Sequence, residues 1–182
     1  SSPTADPVFL ESPWTLWVYD PSATAKKGTQ SSLDEYNNTL KKVFSFETIQ
    51  QFWNCFNNLP DLKMLQHNSA FHFMREEIEP KWEHPENETG GIFCIRISKE
   101  QTDKTWIDLI LAVIGEQFIS VLDKSDTING ITLSIKSKDN VIQVWNHKAD
   151  SNREGIERKI KEIAMNDDIK LFYKFCKDPN TT

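Results

Sequence analysis

An α+β domain, built on an antiparallel sheet with helices over one face, is what this 182-residue sequence predicts, and three observations carry it. Short runs rich in aromatic and β-branched residues are joined by hairpin-like turns, which makes neighbouring strands antiparallel. Helical patterns are scattered among these runs instead of following every strand, as a doubly wound parallel sheet would require. Each helix is apolar on one side, so the helices suit one face of the sheet and leave the other free for a ligand. The length fits one domain with a proper core, and 38% apolar with 26% charged residues is ordinary for a globule.

The elements follow in chain order. Residues 1–12 are Ser/Pro-rich and expected to be flexible, except where Val8, Phe9 and Leu10 dock. The domain proper is expected over 13–177 and a flexible polar tail over 178–182. Residues 14–19 (WTLWVY) read as a strand because aromatic and β-branched side chains suit a pleated surface. Residues 20–35 form a long polar loop, and long loops in small domains are often functional. A short strand over 40–44 precedes a helix from Phe46 to about Asn58, with Ile49, Phe52, Trp53 and Phe56 on one arc. Strands follow over 70–74 and 92–98. A second helix spans 102–118, with Trp106, Leu109, Ile110, Val113 and Gln117 on one arc, which Ile107, Leu111, Ile114 and Phe118 widen to roughly 200°. Two readings fit so wide an arc: a deeply buried helix, or a second stripe (Ile107, Leu111) kept for a partner. The hairpin 131–136 and 141–145 turns at Lys138-Asp139-Asn140. Asn152 caps a third helix to about Met165, with Ile156, Ile160, Ile163 and Ala164 inward, and 169–175 is the last strand.

Composition narrows the function. A net charge of −6 argues against a phosphate-tracking groove, so any nucleic-acid contact must be small and local. Cys55, Cys94 and Cys176 lack metal spacing and read as free thiols of a reducing compartment, hence a cytoplasmic or also nuclear expectation. The sequons at Asn37, Asn87 and Asn180 read as accidental, and no apolar run reaches membrane-spanning length. No G-x-S-x-G, P-loop or H-E-x-x-H pattern occurs, and His67, His72, His84 and His147 read as solvated loop or strand-edge residues. A binding module is therefore expected, not an enzyme.

The whole chain is organised around residues 78–91 (IEPKWEHPENETGG), where two prolines and two glycines exclude helix and strand. Trp82 has little local apolar surface to bury against, and Glu83 sits beside it. An aromatic face supplies stacking and cation–π attraction, and a carboxylate accepts two N–H bonds, so the pair can read a flat cationic ring bearing donors. The competing reading folds Trp82 back onto the core as a plug.

Five motifs in order, WTLW at 14–17, FETIQQFW at 46–53, IEPKWE at 78–83 with GG at 90–91, LAVIGEQF at 111–118 and GITLSIK…VW at 130–145, resemble eukaryotic translation initiation factor 4E. The resemblance covers residues 14–175. It implies a curved, mostly antiparallel β-sheet with three helices packed on the convex face and a site for the 7-methylguanosine cap of messenger RNA on the concave one. It further implies that Trp82 and Tyr36 sandwich the methylguanine, that Glu83 takes its N1–H and N2–H, and that Trp145 touches the N7-methyl group. Lys136 and Lys138 match two phosphate-binding positions, whereas Val141 and Ile92 stand where the family often carries a cation. On the helical side, Ile49, Trp53, Ile107, Asp108, Leu111, Gly115 and Glu116 match the groove that takes a Tyr-x-x-x-x-Leu-Φ helix. The implied ligand is a cap such as 7-methyl-GTP, with no cofactor and no metal. The implied partners are capped messenger RNA and an initiation factor 4G-like scaffold or 4E-binding protein, with the protein itself a monomer. The runner-up is a cap-binding repressor or specialised isoform, which the tyrosine and the apolar Val141 favour. A pure protein-interaction module with a decayed slot is the alternative from another class.

Overall fold

The structure is a computed structural model that describes residues 5–23 and 39–177. Its strands are β1 (Phe9–Tyr19), β2 (Leu40–Thr48), β3 (Ala70–Arg75), β4 (Gly91–Ile97), β5 (Ile128–Ser134), β6 (Asn140–Asn146) and β7 (Leu171–Phe175). Its longer helices are α1 (Ile49–Asn57), α2 (Lys99–Ile114) and α3 (Arg153–Ala164). The strands form one sheet in the order β2-β1-β3-β5-β6-β4-β7, every neighbouring pair antiparallel. The sheet is curved and the three helices back its convex face, as the sequence led us to expect.

Side-chain alternation creates the two faces. Leu16, Phe71, Phe73, Ile131, Leu133, Ile142, Val144, Phe93 and Ile95 point to the helical side and pack with Trp106, Leu109, Ile110 and Val113 of α2 and Ile156 and Ile160 of α3. Their neighbours in sequence point the other way. Met74, Ile92, Cys94 and Trp145 form a smaller buried cluster there, which Trp17 and Val141 flank.

Several boundaries differ from the sequence expectation. β1 begins at Phe9, because this segment pairs with Thr48 before a register shift restores pairing at Trp14. Phe46 lies in β2 and not in the first helix; it is 2% exposed, against Phe52 and Phe73 at ring distances of 5.6 and 6.0 Å. The helix starts only after Thr48, whose hydroxyl accepts the Gln51 N–H at 3.2 Å as an N-cap. α2 starts earlier than expected and ends at Ile114, capped by Gly115. Gln117 therefore lies in the following single turn of 3-10 helix, exposed and off the apolar arc. Asn152 caps α3 as expected, accepting the Gly155 N–H at 3.1 Å. The loop 78–91 contains one turn of helix, Pro85–Glu88, that its proline and glycine content argued against. Proline is tolerated there because it occupies the first turn, where no N–H partner is needed.

Candidate functional site

The loop that carries Trp82 is held by buried amides. Asn87 is 1% exposed, and its Nδ2 donates to the carbonyls of Glu79 (3.1 Å) and Lys81 (2.9 Å), fixing the backbone on either side of Pro80. Its Oδ1 accepts from Asn129 Nδ2 of β5 at 3.0 Å, and that amide also donates to the Glu86 carbonyl. His147 Nδ1 donates to the same carbonyl at 2.7 Å. Gly90 closes the loop where a Cβ would lie 1.8 Å from the Asn146 carbonyl oxygen, so only glycine fits. A short polar segment is thereby pinned to the end of the sheet at both of its ends.

This anchoring projects Trp82 outward. Its ring is 50% exposed, which rules out the plug reading, and Glu83 beside it is exposed. Both line a cavity of about 640 Å³ on the concave face. Trp145 of β6, the cross-strand partner of Ile92, also lines the cavity; it is only 5% exposed, with its Nε1 donating to Thr132 Oγ1 at 3.0 Å. Tyr19, Ala70, His72, Ser134 and Gln143 form the floor with Ile92, and Lys174, Phe175 and Cys176 close the far side. The arrangement can take a flat ring against the Trp82 face and offer a carboxylate to its donor edge, with the edge of a second indole, Trp145, in the same cavity.

The predicted site residues divide. Trp82, Glu83, Lys136 and Trp145 share the cavity lining. Lys136 reaches Asn68 Oδ1 at 3.2 Å, and Lys138 stands exposed on the hairpin outside that lining. Tyr36 lies outside the described residues. Val141 is half-buried against the Trp145 cluster and Ile92 is 7% exposed in the floor, so both positions are packed hydrocarbon.

Sequence reasoning missed several lining residues. Lys174 on β7 adds a cation, invisible in advance because strand pairing alone brings β7 beside β4. His72 corrects the reading of a solvated histidine: it lies mid-strand in β3, 3% exposed, and its Nδ1 is 2.7 Å from Thr132 Oγ1. Burial in this apolar surround holds its imidazole down to about 3, so it stays neutral. The available signal was a histidine alternating with Phe71 and Phe73 in an otherwise apolar run.

On the helical side, Ile49 and Trp53 of α1 are 40% and 36% exposed. Trp53 packs on Phe52 (ring centroids 5.1 Å) and edge-on to Phe56 (6.0 Å). Phe56 and Ile107 share the walls of a cleft of about 320 Å³ between α1 and α2. Ile107 and Leu111 are half-buried, packing on the core while keeping an outward edge, so the wide arc combines both readings of it. Asp108 accepts from Lys104 Nζ at 2.6 Å. Glu116 has a positive φ of 57° after the exposed Gly115, and its carboxylate is committed to Arg75. The Arg75 guanidinium also donates twice to the Ile128 carbonyl and lies 4.6 Å from the Trp14 ring centroid.

Residues 9–182 match the family described as eukaryotic initiation factor 4E. The chain belongs to that family. Among its relatives, the eukaryotic translation initiation factor isoform 4E of Prunus domestica is 34% identical over 97% of this chain and 79% of its own length. Eukaryotic translation initiation factor 4E-1 of Arabidopsis thaliana is 36% identical over 77% of this chain and 55% of its own. Among solved structures, C. elegans eIF4E-3, in complex with the 4E-binding protein Mextli and cap analog, superimposes with a TM-score of 0.79. That pair is 25% identical, with 93% of each chain covered. Ascaris suum eIF4E-3 with m7G cap gives a TM-score of 0.77 at 22% identity over 97% of this chain and 96% of its own, a likeness of fold. A family of initiation factors agrees with the reading of a non-enzyme.

Proposed function

We propose that this initiation factor 4E-family chain binds the 7-methylguanosine cap of messenger RNA in the concave slot and docks a scaffold or 4E-binding protein on its helices. The observation that carries the first half is the half-exposed Trp82 with Glu83 at its side, lining one cavity with Trp145. Methylation at N7 makes guanine cationic, which strengthens its attraction to aromatic faces, and Glu83 supplies the acceptor for N1–H and N2–H. Tyr36 is the second stacking face of this reading, and Trp145 meets the methyl group. Lys136 serves the phosphates nearest the slot and Lys138 those beyond it. The solved C. elegans complex with cap analog supports the assignment.

For the second half, the exposed rings and edges of Ile49, Trp53, Ile107 and Leu111 suit the apolar face of an amphipathic helix such as Tyr-x-x-x-x-Leu-Φ. Asp108 and Gly115 flank that groove, whereas Glu116 contributes by fixing the turn after α2. A repressor or specialised isoform is the second reading, favoured by Val141 and Ile92, which leave the phosphates fewer cations. A monomer working in the cytoplasm suits either reading. Retention on immobilised 7-methyl-GTP, with elution by free 7-methyl-GTP but not GTP, tests the proposal. Failure to be retained overturns it.

A further inference from the structure

Among the described residues, one polar atom of His72 has no partner. Its Nε2 is buried and unbonded, and the side chain lines the concave cavity. The hydrogen-bond chain behind it decides which nitrogen holds the proton. Trp145 Nε1 is an obligate donor, and it donates to Thr132 Oγ1 at 3.0 Å. Thr132 is 0% exposed, so its own hydroxyl proton must find an acceptor inside the protein. His72 Nδ1, at 2.7 Å, is that acceptor. A neutral imidazole that accepts at Nδ1 carries its proton on Nε2. Directly across the strand pair stands Trp17, whose one polar atom is also a donor and, among the described residues, also unpaired, so it cannot accept from His72.

We infer that His72 is a further ligand-reading residue of the slot, its Nε2–H donating to an acceptor on the nucleoside part of the bound cap. This rests on the cap-binding reading above. The Trp145–Thr132–His72 chain holds the imidazole rigid and sets its tautomer. Because burial keeps the ring neutral, it donates without adding a cation. The strand register places it by the nucleoside and not by the phosphates. His72 pairs with Thr132, Ser134 lies one same-face step further along β5, and Lys136 one step beyond that, whereas Trp145 lies one step the other way from Gln143, the partner of Thr132. An unmet buried N–H is costly, and a ligand acceptor relieves that cost, so the group favours ligands that bring one.

The test uses the whole chain with 7-methyl-GMP and 7-methyl-GTP as probes. In the free protein, ¹⁵N spectra of the histidines should show His72 protonated at Nε2 and bare at Nδ1. Either nucleotide should shift the Nε2–H resonance and slow its exchange with water. His72→Phe should weaken both probes by the same factor, about threefold to tenfold, as expected for one neutral hydrogen bond. A proton found on Nδ1, or an Nε2–H resonance unmoved by a ligand that binds, overturns the inference while leaving cap binding intact. A loss confined to 7-methyl-GTP moves the donor to the phosphates and overturns the nucleoside assignment. If the wild-type chain binds neither probe, the cap reading falls and this inference with it.

Discussion

Trp53→Ala separates a docking surface from a core. Trp53 keeps 36% of its surface in water, whereas Phe52, its neighbour in sequence, is 0% exposed. Truncating Trp53 removes roughly 100 Å² of buried apolar contact, mostly against Phe52 and Phe56. At about 25 cal/mol per Å², and allowing for partial burial in the unfolded chain, that is about 2 kcal/mol. Phe52→Ala opens a cavity beneath Phe46 and Phe73 and should cost about 3–5 kcal/mol. For a domain of this size the expected falls in Tm are roughly 4–8 °C and 6–20 °C. Thermal melts of the two variants side by side read the difference. Isothermal titration of Trp53→Ala should show no binding of a Tyr-x-x-x-x-Leu-Φ peptide, with 7-methyl-GTP affinity within about threefold of wild type, because the two sites lie on opposite faces of the sheet. If Trp53→Ala melts as early as Phe52→Ala and still binds the peptide, Trp53 is core and the partner site lies elsewhere.

Four further outcomes are expected. Glu83→Ala removes the acceptor for two ligand donors and should cost about 3–5 kcal/mol of 7-methyl-GTP affinity without altering the melt; a loss under about fivefold would sink its role. Tyr36→Ala should weaken the same binding by about 1–2 kcal/mol and Tyr36→Trp should strengthen it, and unchanged titrations for both would remove Tyr36 from the sandwich. Glu116→Gln leaves the Arg75 guanidinium with the Ile128 carbonyl but no counter-charge, and should lower stability by about 2–4 kcal/mol; a neutral result in urea melts would show the pair to be dispensable. The folded-state pKa of His72 is depressed from 6.5 to about 3, so the unfolded chain takes up its proton first and stability falls as pH drops below about 6.5. Between pH 6.5 and 5 this amounts to about 2 kcal/mol, and His72→Phe should flatten that part of the pH profile; parallel slopes for the two proteins would contradict the depressed pKa.

What the sequence disclosed depended on the range of the interaction involved. Local signals were legible: Asn152 capping α3, the hairpin around Lys138, and a polar loop presenting Trp82 next to Glu83. Elements shifted wherever a long-range contact overruled local preference. Phe46 reads as the start of a helix, yet pairing with Trp14 holds it in β2, and the helix waits for Thr48. Asn87 reads as a stray sequon until Asn129, 42 residues away, shows it to be the clasp of the site loop. The same holds for Glu116, which the resemblance assigns to a partner groove but whose charge is claimed by Arg75 from β3.

His72 and Lys174 define that boundary most sharply. Neither belongs to a motif, and both enter the cavity because the sheet order sets β3 beside β5 and β7 beside β4. On the proposed reading, the motif residues Trp82, Glu83 and Trp145 supply what any methylated guanine would require. The residues without a motif supply what differs: packed hydrocarbon at Ile92 and Val141, a lysine arriving from the edge strand, and in the floor a neutral histidine, the donor of the inference above. Selectivity of this slot among cap variants should therefore respond more to changes at His72 and Lys174 than to changes at Lys138, which stands outside the lining.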